Sequence, residues 1–314
     1  MLIVQKFGGS SVADAARIAH VADTVAETYR AGDRVVVVLS AQGNTTDELI
    51  RRAREIDPAP DARELDALLS TGELVSAALM AMELHRRGLP AVSLSGWQIG
   101  LHTDSAHGNA LLSSVDTDRL NAELSRGSIV VAAGFQGIDG HGDVTTLGRG
   151  GSDTTAVALA AALRADRCRI YTDVDGVYTA DPRRIDGARK LDAVPYDEML
   201  ALAALGSQVL HDRSVELAMR QGVELEVLSS LKSVPGTRVG RAEPHPLTGV
   251  TKDGERVSLV GAGLTDAAAE RLTDALYRRG IPVRAMSRGA MSLTAIVPER
   301  EANAAVEAIH KEFF

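Results

Sequence analysis

Gly148-Arg149-Gly150-Gly151-Ser152-Asp153-Thr154-Thr155-Ala156 joins an extended segment, Val144 to Leu147, to the apolar run Ala156-Val157-Ala158-Leu159-Ala160-Ala161-Ala162-Leu163. Glycines at 148, 150 and 151 open backbone angles closed to other residues and let a ligand approach the chain closely. The polar residues Ser152 to Thr155 then open a helix, whose first amide N–H groups lack intrahelical partners and attract anions. Arg149 adds a planar positive fork that matches a carboxylate or a phosphate. Locally, a glycine-rich loop with an ordinary Ser or Asp cap reads the same way. The rest of the chain separates the two readings.

Leu2 to Phe7 is a short apolar strand, Gly8-Gly9-Ser10-Ser11 a turn, and a helix follows with Val12, Ile18, Val21, Val25 and Tyr29 on one face. Strand, glycine turn and helix N-terminus together cradle phosphate. The spacing is not that of a Walker loop, because here the lysine precedes the glycines. Lys6 either reaches a phosphate held by the Gly8 and Gly9 amides or faces solvent before a tight turn. Val35 to Leu39 is apolar without interruption, as in a parallel strand covered on both faces. It delivers Ser40 to Thr46 to the end of the sheet where open α/β folds place ligands. An amphipathic helix through Leu65, Leu68 and Leu69 is expected to break at Ser70-Thr71-Gly72-Glu73 before a second helix, Leu74 to Arg87. Glu73 is then a first-turn carboxylate favoured by the helix dipole, or a ligand for a substrate ammonium.

Strands are expected at Ala91 to Leu94 and Ile129 to Ala133, with a helix around Asp116 to Ser125 and with Trp97 and His102 in a loop. Gly134 to Gly137 caps the second strand, and Asp139-Gly140-His141-Gly142 reads as a hairpin tip. After the glycine-rich helix, Arg169 to Thr172 forms a strand. The single cysteine, Cys168, stands just before it and reads as a buried structural thiol. Asp173 to Arg183 is a loop able to hold adenine and ribose, with Asp175 or Asp181 near a metal, although turn chemistry alone accounts for its Asp-Gly and Asp-Pro pairs. Helices Tyr196 to Ala204 and Val209 to Arg220 and strand Glu224 to Leu228 complete the alternation. Strands alternating with helices predict an α/β fold with a mainly parallel sheet between helical layers.

Prolines 235, 244 and 246 and glycines 236 and 240 mark a domain boundary. Two domains are expected, residues 1–240 and 247–314. The second reads as a ferredoxin-like α+β unit, with strands near Val257 to Gly261, Val283 to Ser287 and Met291 to Val297 and helices Asp266 to Arg279 and Glu299 to Glu312. Thr248 to Lys252 is placed to supply its missing edge strand. Such units bind small effectors or pair with a copy of themselves, and since nothing here looks like a chemical site, pairing is the expected role.

A net charge of −8 over 314 residues argues against nucleic acid as a partner. Aromatic residues are only 3%, so the core must be built from Ala, Val, Leu and Ile. No signal peptide and no unbroken apolar run of about 20 residues is read, which predicts no membrane partner and a cytoplasmic protein.

Lys6-Phe7-Gly8-Gly9-Ser10-Ser11-Val12, the Gly148 to Thr155 stretch and Tyr171-Thr172-Asp173-Val174-Asp175-Gly176-Val177-Tyr178 closely resemble the aspartate kinase family of the amino-acid kinase fold. The likeness is near-continuous from Leu2 to about Val239 and resumes at Leu247. It implies a three-layer fold plus a small ACT domain, and transfer of the ATP γ-phosphate to the β-carboxylate of L-aspartate. That reaction opens lysine, threonine and methionine synthesis. By the resemblance, Lys6 and Asp153 are catalytic. Lys6, Gly8, Gly9, Ser10, Tyr171, Thr172, Asp173, Val177, Tyr178, Ala180, Asp181, Pro182, Arg183, Ser207 and Gln208 bind ATP. Ser40, Thr46, Glu73, Arg149, Gly150, Gly151 and Ser152 bind aspartate. ATP and Mg²⁺ are the implied cofactors, with no metal ligated directly by protein, and a homodimer through the small domain is the implied assembly.

Two departures from the family pattern stand out. Gln208 occupies a position where the family often has a lysine that contacts the nucleotide, so a charge is lost. Members also usually carry two tandem ACT units, whereas Leu247-Thr248-Gly249-Val250 here runs almost directly into Val257-Ser258-Leu259-Val260. One whole unit is read as absent, and weak or absent inhibition by lysine and threonine is expected. A kinase of another carboxylate and a non-catalytic regulatory subunit are the competing readings. Intact Arg149, Glu73 and Ser40 argue against the first, and intact Lys6 and Asp153 against the second.

Overall fold

Strands β1 (Leu2–Phe7) and β2 (Arg34–Leu39) are covered on both faces and mostly apolar, with Gln5 and Lys6 the polar residues inside β1. The computed structural model describes residues 1–314. Between the two strands runs helix α1 (Ala15–Arg30), capped by the Asp14 carboxylate, which accepts from the Arg17 N–H. After them come helices α2 (Thr45–Ile56) and α3 (Ala62–Arg86), then strands β3 (Ala91–Leu94), β4 (Leu101–Thr103) and β5 (Leu112–Val115). Helix α4 (Asp118–Ser125) leads into β6 (Ile129–Ala133), β7 (Gln136–Ile138) and β8 (Val144–Thr146), and the glycine-rich stretch opens helix α5 (Gly151–Ala162). Strand β9 (Arg167–Thr172) is followed by β10 (Ala193–Pro195), α6 (Tyr196–Ala204), α7 (Asp212–Gln221), β11 (Leu225–Ser229) and β12 (Thr237–Gly240).

The large sheet has the order β10-β12-β11-β9-β1-β2-β6-β3, and every pairing is parallel except β11 with β12. Its side chains divide by alternation. Val4, Val36, Val38, Val130 and Ala132 pack with residues of α4 to α7 on one face, while Phe7, Val35, Val37, Leu39 and Val131 pack with α1 and α3 on the other. This is the three-layer α/β arrangement expected, and the buried strand run at 35–39 is explained by it. A smaller sheet, β5-β4-β7-β8, lies beside the large one. It corrects two expectations: His102 lies in strand β4 rather than a loop, and Gln136 and Gly137 belong to β7; elsewhere, α7 begins at Asp212 rather than Val209.

The expected break at Ser70 to Glu73 is absent, and α3 is one helix of 25 residues. Gly72 does not end it. A Cβ at 72 would lie 2.8 Å from the Ala41 Cβ, so this glycine exists to let the loop after β2 press on the helix. Helix α3 is long and apolar enough by composition to cross a membrane, but half of its most apolar window is buried inside the fold, against α1, β3, β6 and β8.

The C-terminal part holds strands β13 (Gly249–Asp253) and β14 (Arg256–Val260), helix α8 (Asp266–Arg278), strands β15 (Ala285–Arg288) and β16 (Ser292–Ile296), and helix α9 (Ala302–Phe313). These strands form an antiparallel sheet of order β13-β14-β16-β15 under the two helices, a ferredoxin-like sheet of the ACT type. The edge beside β14 is filled by β13, as the sequence suggested for Thr248 to Lys252.

Candidate active site

The strand register lines up the chain exits that matter. Phe7 pairs with Leu39 and Tyr171, and Leu39 pairs with Ala133. The residues after them, Gly8, Ser40, Gly134 and Thr172, therefore stand in a row along one edge of the sheet. From β1 the chain moves toward β2 and β6, and from β9 toward β11 and β12, so the connections part between β1 and β9. Open α/β sheets bind ligands at such a switch point, outside the carboxyl ends of the strands.

Lys6 follows Leu2 and Val4 onto the face that α5 covers. There its ammonium meets Asp153, in the first turn of α5, at 2.6 Å, with both side chains nearly buried. The lysine is thus not the solvent-facing residue of the alternative reading. Gly8 stays under the Lys6 ammonium, which lies 3.7 Å from where a Cβ would be, and Gly9 would clash at 2.5 Å with the Ala41 carbonyl if it carried one. Ser10 and buried Ser11 continue this turn.

Gly148 and Gly150 both take positive φ, 73° and 70°, to turn the chain into α5, and no side chain caps the helix. The Gly151 N–H donates to the Gly148 carbonyl at 3.0 Å, which leaves the N–H groups of Ser152 and Asp153 without a partner and suited to an anion. Arg213 holds the loop from behind, donating to the Leu147 and Ala110 carbonyls and to Asn109 Oδ1. His211 lies directly on Gly150, where a Cβ would come within 2.2 Å of its ring. Ser152 packs on Gly134, while Phe135, at φ 69°, donates its N–H to Thr155 Oγ1 at 3.1 Å and lays its ring on Gly151. Positive φ at a bulky residue is strained, and this one locks the end of β6 to the first turn of α5. No local signal in the sequence pointed to Phe135 or His211.

Glu73 is buried in mid-helix, 3% exposed. Its Oε1 accepts from the Ala41 N–H at 3.0 Å, while Oε2 has no partner. Burial pushes its carboxyl up to about 7. A lone buried carboxylate oxygen beside the loop after β2 is ready to accept from a cationic group. Thr46 stands in the first turn of α2, a helix with no buried residue. Arg149 is exposed and faces α2 across a cleft of about 590 Å³ lined also by Asp47, Ile50, Arg51, Arg54 and Glu55.

A second cleft, of about 510 Å³, opens after β9. It gathers Asp173, Val177, Tyr178, Ala180, Asp181, Pro182, Arg183, Ser207 and Gln208, brought from two separate stretches. The Asp181 carboxyl is held below its usual range by Arg183, against the opposing effect of its partial burial, and Asp175 lies below its usual range mainly through the Tyr178 hydroxyl, again against burial. Tyr171 does not present its side chain to this cleft. It stacks on Phe7 with ring centroids 4.4 Å apart, in the core under α1 and α3, and Thr172 is likewise not in the lining. The opposite wall, unforeseen from the sequence, comes from the small unit: Val250, Thr251, Lys252, Asn303, Ala304, Val306 and Glu307.

His107, Asp139 and Asp143 cluster closely enough to suggest a metal. Each is already committed, His107 to Asp66, Asp139 to Ser105 and two backbone N–H groups, and Asp143 to Arg63. Cys168 is fully buried, and burial raises its thiol far above the usual range.

Residues 1–229 match the model of the amino acid kinase family, and residues 257–313 match that of an ACT domain. The chain is 52% identical over 288 residues to an aspartokinase of Geobacillus stearothermophilus, covering 90% of this chain and 71% of that one. It is 56% identical over 236 residues to an aspartokinase of Bacillus sp. (strain MGA3), covering 75% of this chain and 57% of the relative. The chain thus spans between 57 and 71% of the lengths of these two relatives. The crystal structure of E. coli aspartokinase III in complex with aspartate and ADP matches with a TM-score of 0.85 over all of both chains at 24% identity, a likeness of fold.

Proposed function

The chain belongs to the amino acid kinase family, in its aspartokinase group, and on that premise we propose that it transfers the γ-phosphate of ATP to the β-carboxylate of L-aspartate, giving 4-phospho-L-aspartate and ADP. The observation that carries this reading is the Lys6–Asp153 pair at 2.6 Å, set between the Gly8-Gly9 turn and the uncapped N-terminus of α5. The Lys6 ammonium thus lies against both the Gly8-Gly9 turn and the first turn of α5.

In the reaction one carboxylate oxygen forms a bond to the γ-phosphorus, and the bond from that phosphorus to the bridging oxygen of ADP breaks. The nucleophile is already ionised near neutral pH, so no general base is needed, and the barrier is the repulsion of two anions. Lys6 and the N–H groups of Gly8, Gly9 and Ser10 would offset the phosphate charge, and Asp153 would hold the Lys6 ammonium in place. Arg149, with the backbone of Gly150, Gly151 and Ser152, is suited to grip the aspartate carboxylates, and the free oxygen of Glu73 its ammonium. Ser40 and Thr46 flank the same loop. The nucleotide base and ribose are assigned to the cleft after β9, with Tyr171 and Thr172 contributing through backbone alone.

Mg²⁺ would enter with the phosphates. Asp153 is paired with Lys6 and Asp173 with Arg183, so the nearby carboxylates form no cage of their own, a donor set that suits an ion held by phosphate oxygens and water. When bound, it neutralises charge between the phosphates. Residues 1–240 are taken as the catalytic domain and 247–314 as a single ACT-like domain, with a homodimer through the latter. Hydroxylamine tests the reaction type: it should trap an aspartyl hydroxamate that requires both ATP and aspartate. ADP release without any hydroxamate would mean that no acyl phosphate is made.

A further inference from the structure

The cleft after β9 is lined by three cations, and two of them are already spent. Arg183 lies 3.2 Å from Asp173 and 3.0 Å from Asp181. Arg184 lies 3.5 Å from Asp181 and donates to Asn303 Oδ1 at 3.2 Å. The third, Lys252 of β13, is half-buried in the lining and has neither a carboxylate nor a hydrogen-bond partner in the chain. Its backbone is firmly set. Gly206, at φ 109°, packs so closely on the Lys252 carbonyl that a Cβ would lie 2.3 Å from the oxygen. Two residues earlier, the Val250 N–H donates to the Thr179 carbonyl at 2.7 Å, tying β13 to the loop that floors the cleft. Across from Lys252 the large unit offers Ser207 and Gln208, neither of them charged.

A partly desolvated ammonium without a counter-charge is costly, and the cost is recovered when an anion arrives. We propose that Lys252 is a nucleotide ligand supplied by the small unit, pairing with a phosphate of the nucleoside di- or triphosphate and providing the positive charge that Gln208 lacks. This rests on the reading that the nucleotide occupies the cleft after β9. It makes the small unit part of the nucleotide site, since any shift of β13 away from Gly206 withdraws the charge.

The test uses the full chain as wild type, Lys252→Ala, Lys252→Arg, and Lys252→Ala combined with Gln208→Lys. ADP affinity is measured by calorimetry, and KM for ATP and for aspartate by steady-state kinetics. Loss of a charge-assisted contact should weaken ADP binding and raise KM for ATP by roughly 10- to 100-fold in Lys252→Ala, with KM for aspartate changed less than about twofold. Lys252→Arg should retain most of the affinity, and Gln208→Lys should recover it by returning the charge from the opposite wall, a recovery that repair of packing alone would not produce. Wild-type affinity in Lys252→Ala, or a loss that neither charge-restoring change recovers, overturns the assignment of Lys252. A wild-type chain that binds no ADP overturns the nucleotide reading beneath it, and the proposal falls with it.

Discussion

Glu73 shows what burial does to one residue. Its carboxyl sits 3% exposed with a single backbone donor, and burial raises it from an ordinary 4.5 to about 7. The folded chain therefore binds this proton more tightly than the unfolded chain. The stability that the protonated group contributes is complete below pH 4.5 and drains away as pH rises through 7. Glu73→Gln keeps a neutral side chain at every pH, so relative to wild type it should gain about 2 kcal/mol between pH 5 and pH 8. Urea unfolding of both proteins at the two pH values reads this directly, and parallel behaviour would mean that the carboxyl is not buried as described. Lys6 and Asp153 were legible because glycine-flanked motifs carry them. The orientation of Tyr171 was not legible because strand register, invisible in a motif, turns its ring onto Phe7 and into the core. Lys252 had no signal at all, since it enters the cleft from another unit.

At the scale of elements, the alternation of strands and helices and the uninterrupted run Val35 to Leu39 gave the three-layer sheet correctly, because a strand buried on both faces has no polar face to show. Short strands defeated the reading: β4, β5 and β7 have three or four residues each, too few to display a period. Helix α3 was divided wrongly because Gly72 resembles a break. Its real cause is the 2.8 Å approach of the Ala41 Cβ, and this reverses the usual effect of substitution. In an open helix Gly→Ala stabilises by about 1 kcal/mol. Here Gly72→Ala should destabilise by roughly 1–3 kcal/mol through overpacking and displace the Ala41 loop beside Glu73. A Gly72→Ala protein that melts higher than wild type would contradict the packing described.

At the scale of the molecule, the loop after β9 belongs to both units. Ala180 and Ile185 are buried in the hydrophobic cluster of the small unit, and the Thr179 hydroxyl and His310 Nε2 lie 2.8 Å apart in its interior. His310 is held below its ordinary range by burial and, secondarily, by Arg189. The sequence suggested pairing with a second copy as the role of this unit, and the structure adds that it forms a wall of the cleft. The glycine turn, Lys6 and the α5 N-terminus together should phosphorylate aspartate. ADP release should be followed with Mg-ATP and aspartate, glutamate or N-acetylglutamate in turn. Turnover with aspartate should stand well above that with either alternative and fall by roughly 100-fold or more in Asp153→Asn. Equal turnover with glutamate, or no aspartate-dependent ADP release from the wild-type chain, would contradict it.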